Sequence, residues 1–105
     1  MNLFKRKKNM LNIINQLFEI EKKSNDQNLT IFQRNFERIN HELEEMGFII
    51  SNPIGKIYDS RDTSIEANIV GNSSEPLIIK VLKPVIFQKY GDELILRQKG
   101  IVIAE

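Results

Sequence analysis

The sequence predicts an α+β chain, with an N-terminal helical hairpin over residues 1–47 that forms a dimeric four-helix bundle and a small C-terminal all-β domain over residues 48–105. Three observations predict it. Leu29, Phe32, Phe36, Ile39, Leu43 and Met46 are spaced by 3, 4, 3, 4 and 3 residues, which lays one apolar stripe along a helix. Past Gly47 this period gives way to short β-rich runs at 48–50, 65–70, 77–82 and 93–97, bounded by Gly, Pro, Asn and Ser. Each half is near or below the size at which one core stabilises itself, and a short first helix cannot cover the whole stripe, so a second copy is the simplest completion.

The first helix is expected from about Leu3 to Lys23. Leu3, Met10 and Leu17, then Phe4, Leu11 and Phe18, form two sevenfold-spaced rows beside Ile13, Ile14 and Ile20, a face wide enough to touch more than one neighbour. Ser24-Asn25-Asp26-Gln27-Asn28 is polar and turn-prone, and Thr30 with Gln33 has the spacing of a capping box that would open the second helix. That helix carries Arg38 and Glu42 four residues apart on its outer side, and Gly47 supplies a left-handed C-cap. About six short strands follow, with a hairpin turning through Tyr90-Gly91-Asp92, Pro84 at a strand end or edge, and Ile101-Val102-Ile103 closing the sheet.

Composition narrows the function classes. Fifteen basic and 14 acidic residues leave a net charge of +1, so no long-range field points to nucleic acid or an anionic membrane. Lys5-Arg6-Lys7-Lys8 is short and lacks aromatic company downstream, which favours a solvated first turn or frayed start of a helix over a nucleic-acid arm. There is no cysteine, hence no disulfide, thiolate metal site or cysteine nucleophile. No run is long enough to span a bilayer, and no apolar leader with a cleavage site follows the basic block, so a cytoplasmic location is expected.

Catalytic constellations are not apparent. His41, the single histidine, falls opposite the stripe and has no partner to complete a metal site. Glu42, Glu44 and Glu45 are solubilising groups on a charged helix face. Asp59, Asp62 and Glu66 lack the calcium-loop pattern, and turn formation explains the aspartates more simply. Gly47, Gly55, Gly71, Gly91 and Gly100 are scattered singly, so no phosphate-cradling loop exists, and the serines have no base near them in sequence. The expectation is a protein that is not an enzyme, without cofactor or metal.

The order of features carries more than any one of them. A helix pair ending in Leu43-Glu44-Glu45-Met46-Gly47-Phe48, then Asn52-Pro53-Ile54-Gly55-Lys56-Ile57-Tyr58-Asp59, then a compact run of strands, resembles the GrpE family of nucleotide exchange factors. Gly47 and the segment 55–59 match the family's layout, Ala67 stands at its alanine, and Arg97 stands at its arginine within Leu94-Ile95-Leu96-Arg97. Lys80-Val81-Leu82-Lys83-Pro84-Val85-Ile86 lies where members carry a valine-rich strand, and Ile101-Val102-Ile103-Ala104 where they close the domain. The chain departs from the pattern in lacking the family's histidine near Ser64 and Ile65 and its lysine-glycine-tyrosine, and the last hairpin is altered. Only about 23 residues precede the first turn, where typical members have a long paired helix, so it looks like a shortened GrpE-like protein.

The resemblance implies a homodimer whose β head binds the ATPase domain of a DnaK-type chaperone, opens its nucleotide cleft and speeds ADP release. It makes Tyr58, Asp59, Leu82, Arg97 and Ile103 the candidate partner contacts. Each has a plainer alternative: core for Tyr58, Leu82 and Ile103, a turn for Asp59, solvated strand for Arg97. Leu29, Phe32, Phe36, Ile39, Leu43 and Met46 are the candidate dimer seam. A dimeric adaptor presenting the same head to another protein is the competing reading, and a small enzyme with a site in the head is a further one.

Overall fold

The structure is a computed structural model and describes residues 2–105, apart from the side chain of Phe4, so that member of the first helix's rows lies outside the description. The fold is α+β, with two helices and six strands in two small sheets. The chain divides into two compact units, Met1–Phe48 and Ile49–Glu105.

Helix α1 spans Leu3–Asp26. Asn2 caps it by accepting the Lys5 backbone N–H at 2.8 Å, which satisfies one of the donors a helix start leaves unpaired. The helix runs three residues past Lys23 because its stop is set by a left-handed residue rather than by polar composition. Asn28 takes φ 57°, a conformation asparagine tolerates better than most side chains. The Asn28 N–H then donates to the Asn25 carbonyl at 3.0 Å and the Leu29 N–H to the Ser24 carbonyl at 2.9 Å, the paired bonds of a Schellman motif. Ser24 is buried there, and its hydroxyl donates to the Leu29 carbonyl at 3.3 Å.

Helix α2 spans Gln33–Glu45 and opens without the expected capping box. Phe32 is the N-cap and offers no side-chain acceptor, while the Gln33 amide reaches forward to Glu37 Oε1 at 3.4 Å instead of back to Thr30. A backbone bond from the Gln33 N–H to the Thr30 carbonyl at 3.3 Å tightens the entry. The C-terminus follows expectation: Gly47 has φ 90°, and its N–H donates to the Glu44 carbonyl at 2.9 Å.

The strands are β1 (Phe48–Ser51), β2 (Ile65–Ile69), β3 (Ile78–Lys83), β4 (Val85–Tyr90), β5 (Glu93–Gln98) and β6 (Gly100–Ala104). One sheet has the order β1-β4-β5 and the other β2-β6-β3, with β2 parallel and β3 antiparallel to β6. Ile101-Val102-Ile103 therefore does not close the hairpin's sheet; it forms the centre of a second one. The frame is one long antiparallel ribbon, paired from Ile78 with Ala104 at one end to Tyr90 with Glu93 at the other. Pro84 alone separates β3 from β4, and Lys99 alone separates β5 from β6, so the ribbon bends there and its two halves enter different sheets.

The corner explains the residues at it. Pro84 has no N–H to lose from a ladder, and its carbonyl accepts the Gln98 side-chain amide at 2.9 Å. Gly100 is buried at the bend, and a Cβ built on it would stand 2.8 Å from Val85 Cγ2, so only glycine fits without movement. At the far end Gly91 takes φ 57° at the first turn position while Asp92 does not share it, the pattern of a type II′ hairpin. Ile78, Val81, Val85, Ile86, Val102 and Ala104 form the core of this unit. The segment 55–58 lies along the outer edge of β3: the Gly55 N–H donates to the Ile78 carbonyl, the Ile78 N–H to the Lys56 carbonyl and the Tyr58 N–H to the Pro76 carbonyl, each at 2.8 Å.

Candidate protein-interaction surfaces

Strand pairing determines which side chains share a face. Along β6, Gly100, Val102 and Ala104 are buried while Ile101 and Ile103 are half-buried, so these two form the outer face of the sheet. Ile101 stands between Glu66 on β2 and Lys83 on β3, and Ile103 between Asn68 and Lys80. Lys99 closes this row with an ion pair to Glu66 at 3.7 Å. The result is a narrow apolar centre with a charged rim, the composition of a small contact patch.

Three bulges reshape the ribbon. Between Ile78/Ala104 and Lys80/Ile103, between Val81/Val102 and Lys83/Ile101, and between Ile86/Gln98 and Phe87/Leu96, one strand has an extra residue: Ile79, Leu82 and Arg97 respectively. A bulge bends the strand and re-aims its side chain. Leu82 is consequently exposed, which removes the core alternative for it. Arg97 is not a freely solvated strand residue either. Its Nε donates to Gln88 Oε1 at 3.0 Å, and its guanidinium lies 5.4 Å from the centre of the Tyr90 ring.

The remaining head candidates sit elsewhere. Tyr58 is half-buried in the segment beside β3. Asp59 is held by its neighbour: Arg61 donates its backbone N–H at 2.9 Å, Nε at 3.1 Å and Nη2 at 2.9 Å to the carboxylate. That fork, the side-chain bonds foremost and the backbone bond next, keeps the Asp59 carboxyl down at about 2 and raises the guanidinium of Arg61. Asp62 likewise accepts the Ser64 N–H and hydroxyl, so both aspartates build turns. Leu82 and Ile103 thus belong to neighbouring strands of one sheet, Arg97 lies beyond the corner in the other, and Tyr58 bonds to Pro76 ahead of β3, with Asp59 in the turn that follows it.

In the helical unit the proposed seam is only partly helical. Phe36, Ile39 and Leu43 lie within α2, but Leu29 and Phe32 precede it and Met46 is its C-cap. Leu43 is buried, Phe36 and Ile39 are half-buried, and Leu29, Phe32 and Met46 are exposed. Phe32 and Phe36 meet edge to face with centroids 6.3 Å apart. Leu3, Ile13 and Ile20 on α1 are exposed as well. On the polar side of α2, Arg34, Asn35, Glu37, Arg38, His41 and Glu42 line a shallow, open depression, and His41 stands 3.7 Å from Glu45.

The sequence reading missed the apolar display on β4 and β5. Tyr90, Leu94 and Leu96 are exposed, Leu94 to 55% and Leu96 to 37%. Three consecutive apolar residues at 94–96 concealed which of them point outward. Among the described residues no three His, Cys, Asp or Glu side chains gather as a metal site, and no helix is long and apolar enough to cross a membrane. Comparison with protein-family models, with curated proteins and with solved structures finds no match to this chain.

Proposed function

We propose that this chain is a GrpE-like nucleotide exchange factor: a homodimer joined through its helical unit, whose β unit binds the ATPase domain of a DnaK-type chaperone and favours the open nucleotide cleft. The observation that carries the reading is the ordered resemblance from Leu43 to Ala104, and its landmarks coincide with structural punctuation. Gly47 ends a helix at φ 90°, and Gly55 at φ 81° turns the chain into the segment beside β3. The exposed apolar residues on α1 and at the two ends of α2 support association between copies, since each such side chain left in water forgoes roughly 1.5–3 kcal/mol.

The mechanism requires no bond-making by the chain. A protein that binds the open state of its partner more tightly than the closed state shifts the population toward open, and nucleotide leaves faster. Reciprocity requires ATP to weaken the complex. Within the β unit, Arg97 is the leading contact, because Gln88 and Tyr90 hold its planar fork in place and less freedom is lost on pairing with a carboxylate.

The test is release of a fluorescent ADP analogue from DnaK-type chaperones of the same organism. Sub-stoichiometric amounts of the chain should accelerate it, and Arg97→Ala should weaken binding by about 1–2 kcal/mol with the fold intact. Unchanged release across those chaperones, or equal affinity with and without ATP, sinks the exchange-factor reading and leaves the adaptor.

A further inference from the structure

β5 ends its sheet in the order β1-β4-β5, and among the described residues no further strand pairs with the outer side of its residues 93–97. Such a strand presents a row of unpaired N–H and C=O groups. We infer that this edge pairs antiparallel with β5 of a second copy about a two-fold axis at Ile95, an association that engages the same Arg97 proposed above as the leading chaperone contact.

The occupant follows from symmetry and from the sequence of the strand. When two identical strands pair antiparallel about a two-fold axis, the axis is perpendicular to the sheet and like faces meet. Opposed residues must then have numbers of even sum, so that the axis passes midway between one residue and its own copy. Centring on Ile95 sets Glu93 against Arg97 of the second copy, Leu94 against its Leu96, and Ile95 against itself, and the mirror set repeats the match. Each copy thus contributes one charge of either sign and two leucines. Centring on Leu94 sets Glu93 against Ile95 and Asp92 against Leu96; centring on Leu96 sets Ile95 against Arg97. Both alternatives bury a charge against an apolar side chain, so one register is selected.

The structure presents the leucines where the pairing needs them. Leu94 and Leu96 are exposed. Glu93 and Ile95 share one face with Gln88 and Tyr90, while Arg97, the extra residue at the bulge, rests over these two β4 residues and must swing outward to meet Glu93 of the second copy. An edge of six residues is small by the standard of stable interfaces, so this contact is a weak one that gains strength when another interface already brings copies together.

The chain has no cysteine, which permits a register-specific test on the full-length protein. Residues facing each other across an antiparallel pair have Cα atoms about 4.5–5.5 Å apart, within disulfide reach. Ile95→Cys should therefore form a covalent dimer under mild oxidation. Glu93→Cys should not, because its copy lies about 14 Å along the strand. A mixture of Leu94→Cys and Leu96→Cys chains should give the mixed dimer, with each alone giving little; these exposed positions keep the test valid if Ile95→Cys misfolds. Adding Glu93→Arg should lower the cross-linking yield at least fivefold, and the further change Arg97→Glu should restore it. Equal yields at positions 93 and 95, no mixed dimer from 94 and 96, or no rescue by the charge exchange would each overturn the pairing.

Discussion

The helical unit and the β unit bury apolar side chains by different means, and each leaves some of them exposed, among them Ile57, Leu77, Ile79, Leu82 and Leu94 in the β unit. In the β unit, chain crossings at one corner put Ile78, Val81, Val85, Ile86, Val102 and Ala104 out of water, and Pro84 and Gly100 are buried at the bend between them. In the helical unit Ile14 and Leu43 are buried, but Leu3, Ile13, Ile20, Leu29, Ile31, Phe32 and Met46 remain exposed. The contrast lies in contact range. A ribbon folded on itself brings residues distant in sequence into one core, whereas two helices have only one face each to offer. The apolar side chains left exposed in the helical unit are those that the proposed association with a second copy would cover.

The comparison can be broken most severely in the β core. Ile86→Ala should cost about 2–5 kcal/mol in urea-induced unfolding, because a fully buried side chain leaves a cavity the corner cannot collapse. Ile14→Ala probes the helical unit in the same way, and its loss should depend on protein concentration if the helices complete their core between copies.

Next in size, Phe36→Asp should abolish association through the helices. We expect at least about 2 kcal/mol, roughly thirtyfold in the dissociation constant, read by sedimentation at micromolar concentration. A wild-type chain that is already a compact monomer there would remove the completion-by-dimer account.

The corner can be probed by Gly100→Ala. The added Cβ meets Val85 Cγ2 at 2.8 Å, and a destabilisation of about 1–3 kcal/mol should appear in thermal or urea unfolding with the helical content unchanged. An unaltered stability would mean that Val85 can move aside freely.

The smallest effect concerns Asp59. Its folded carboxyl lies at about 2, below the ordinary carboxylate value of 3.8, so its pairing with Arg61 favours the fold above the unfolded value and is lost as pH falls from there toward about 2. The group is exposed, and solvent screening keeps the contribution slight. Asp59→Asn should flatten the acid limb of the stability curve only in that window, and titration of the Asp59 carboxyl by NMR checks the position directly.

Local residue chemistry determined much of this protein. The change of period at Gly47, the six strands, the hairpin turn at Gly91, the strand-ending role of Pro84 and the turn-building aspartates are all set by a few neighbouring residues, and such signals survive in a linear sequence. The end of α1 was less legible because Asn28 is one turn-prone residue among several. The capping box failed because Gln33 found a partner in Glu37 instead of Thr30. Only the tertiary structure decided that β6 is the centre of a second sheet, that Ile79, Leu82 and Arg97 are the extra residues at bulges, and that Arg97 rests on Tyr90. Each of these depends on register between strands far apart in the chain. Where apolar residues run consecutively, as at 94–96 and 101–103, a one-residue shift exchanges inside for outside, and the long-range pairing alone selects between them.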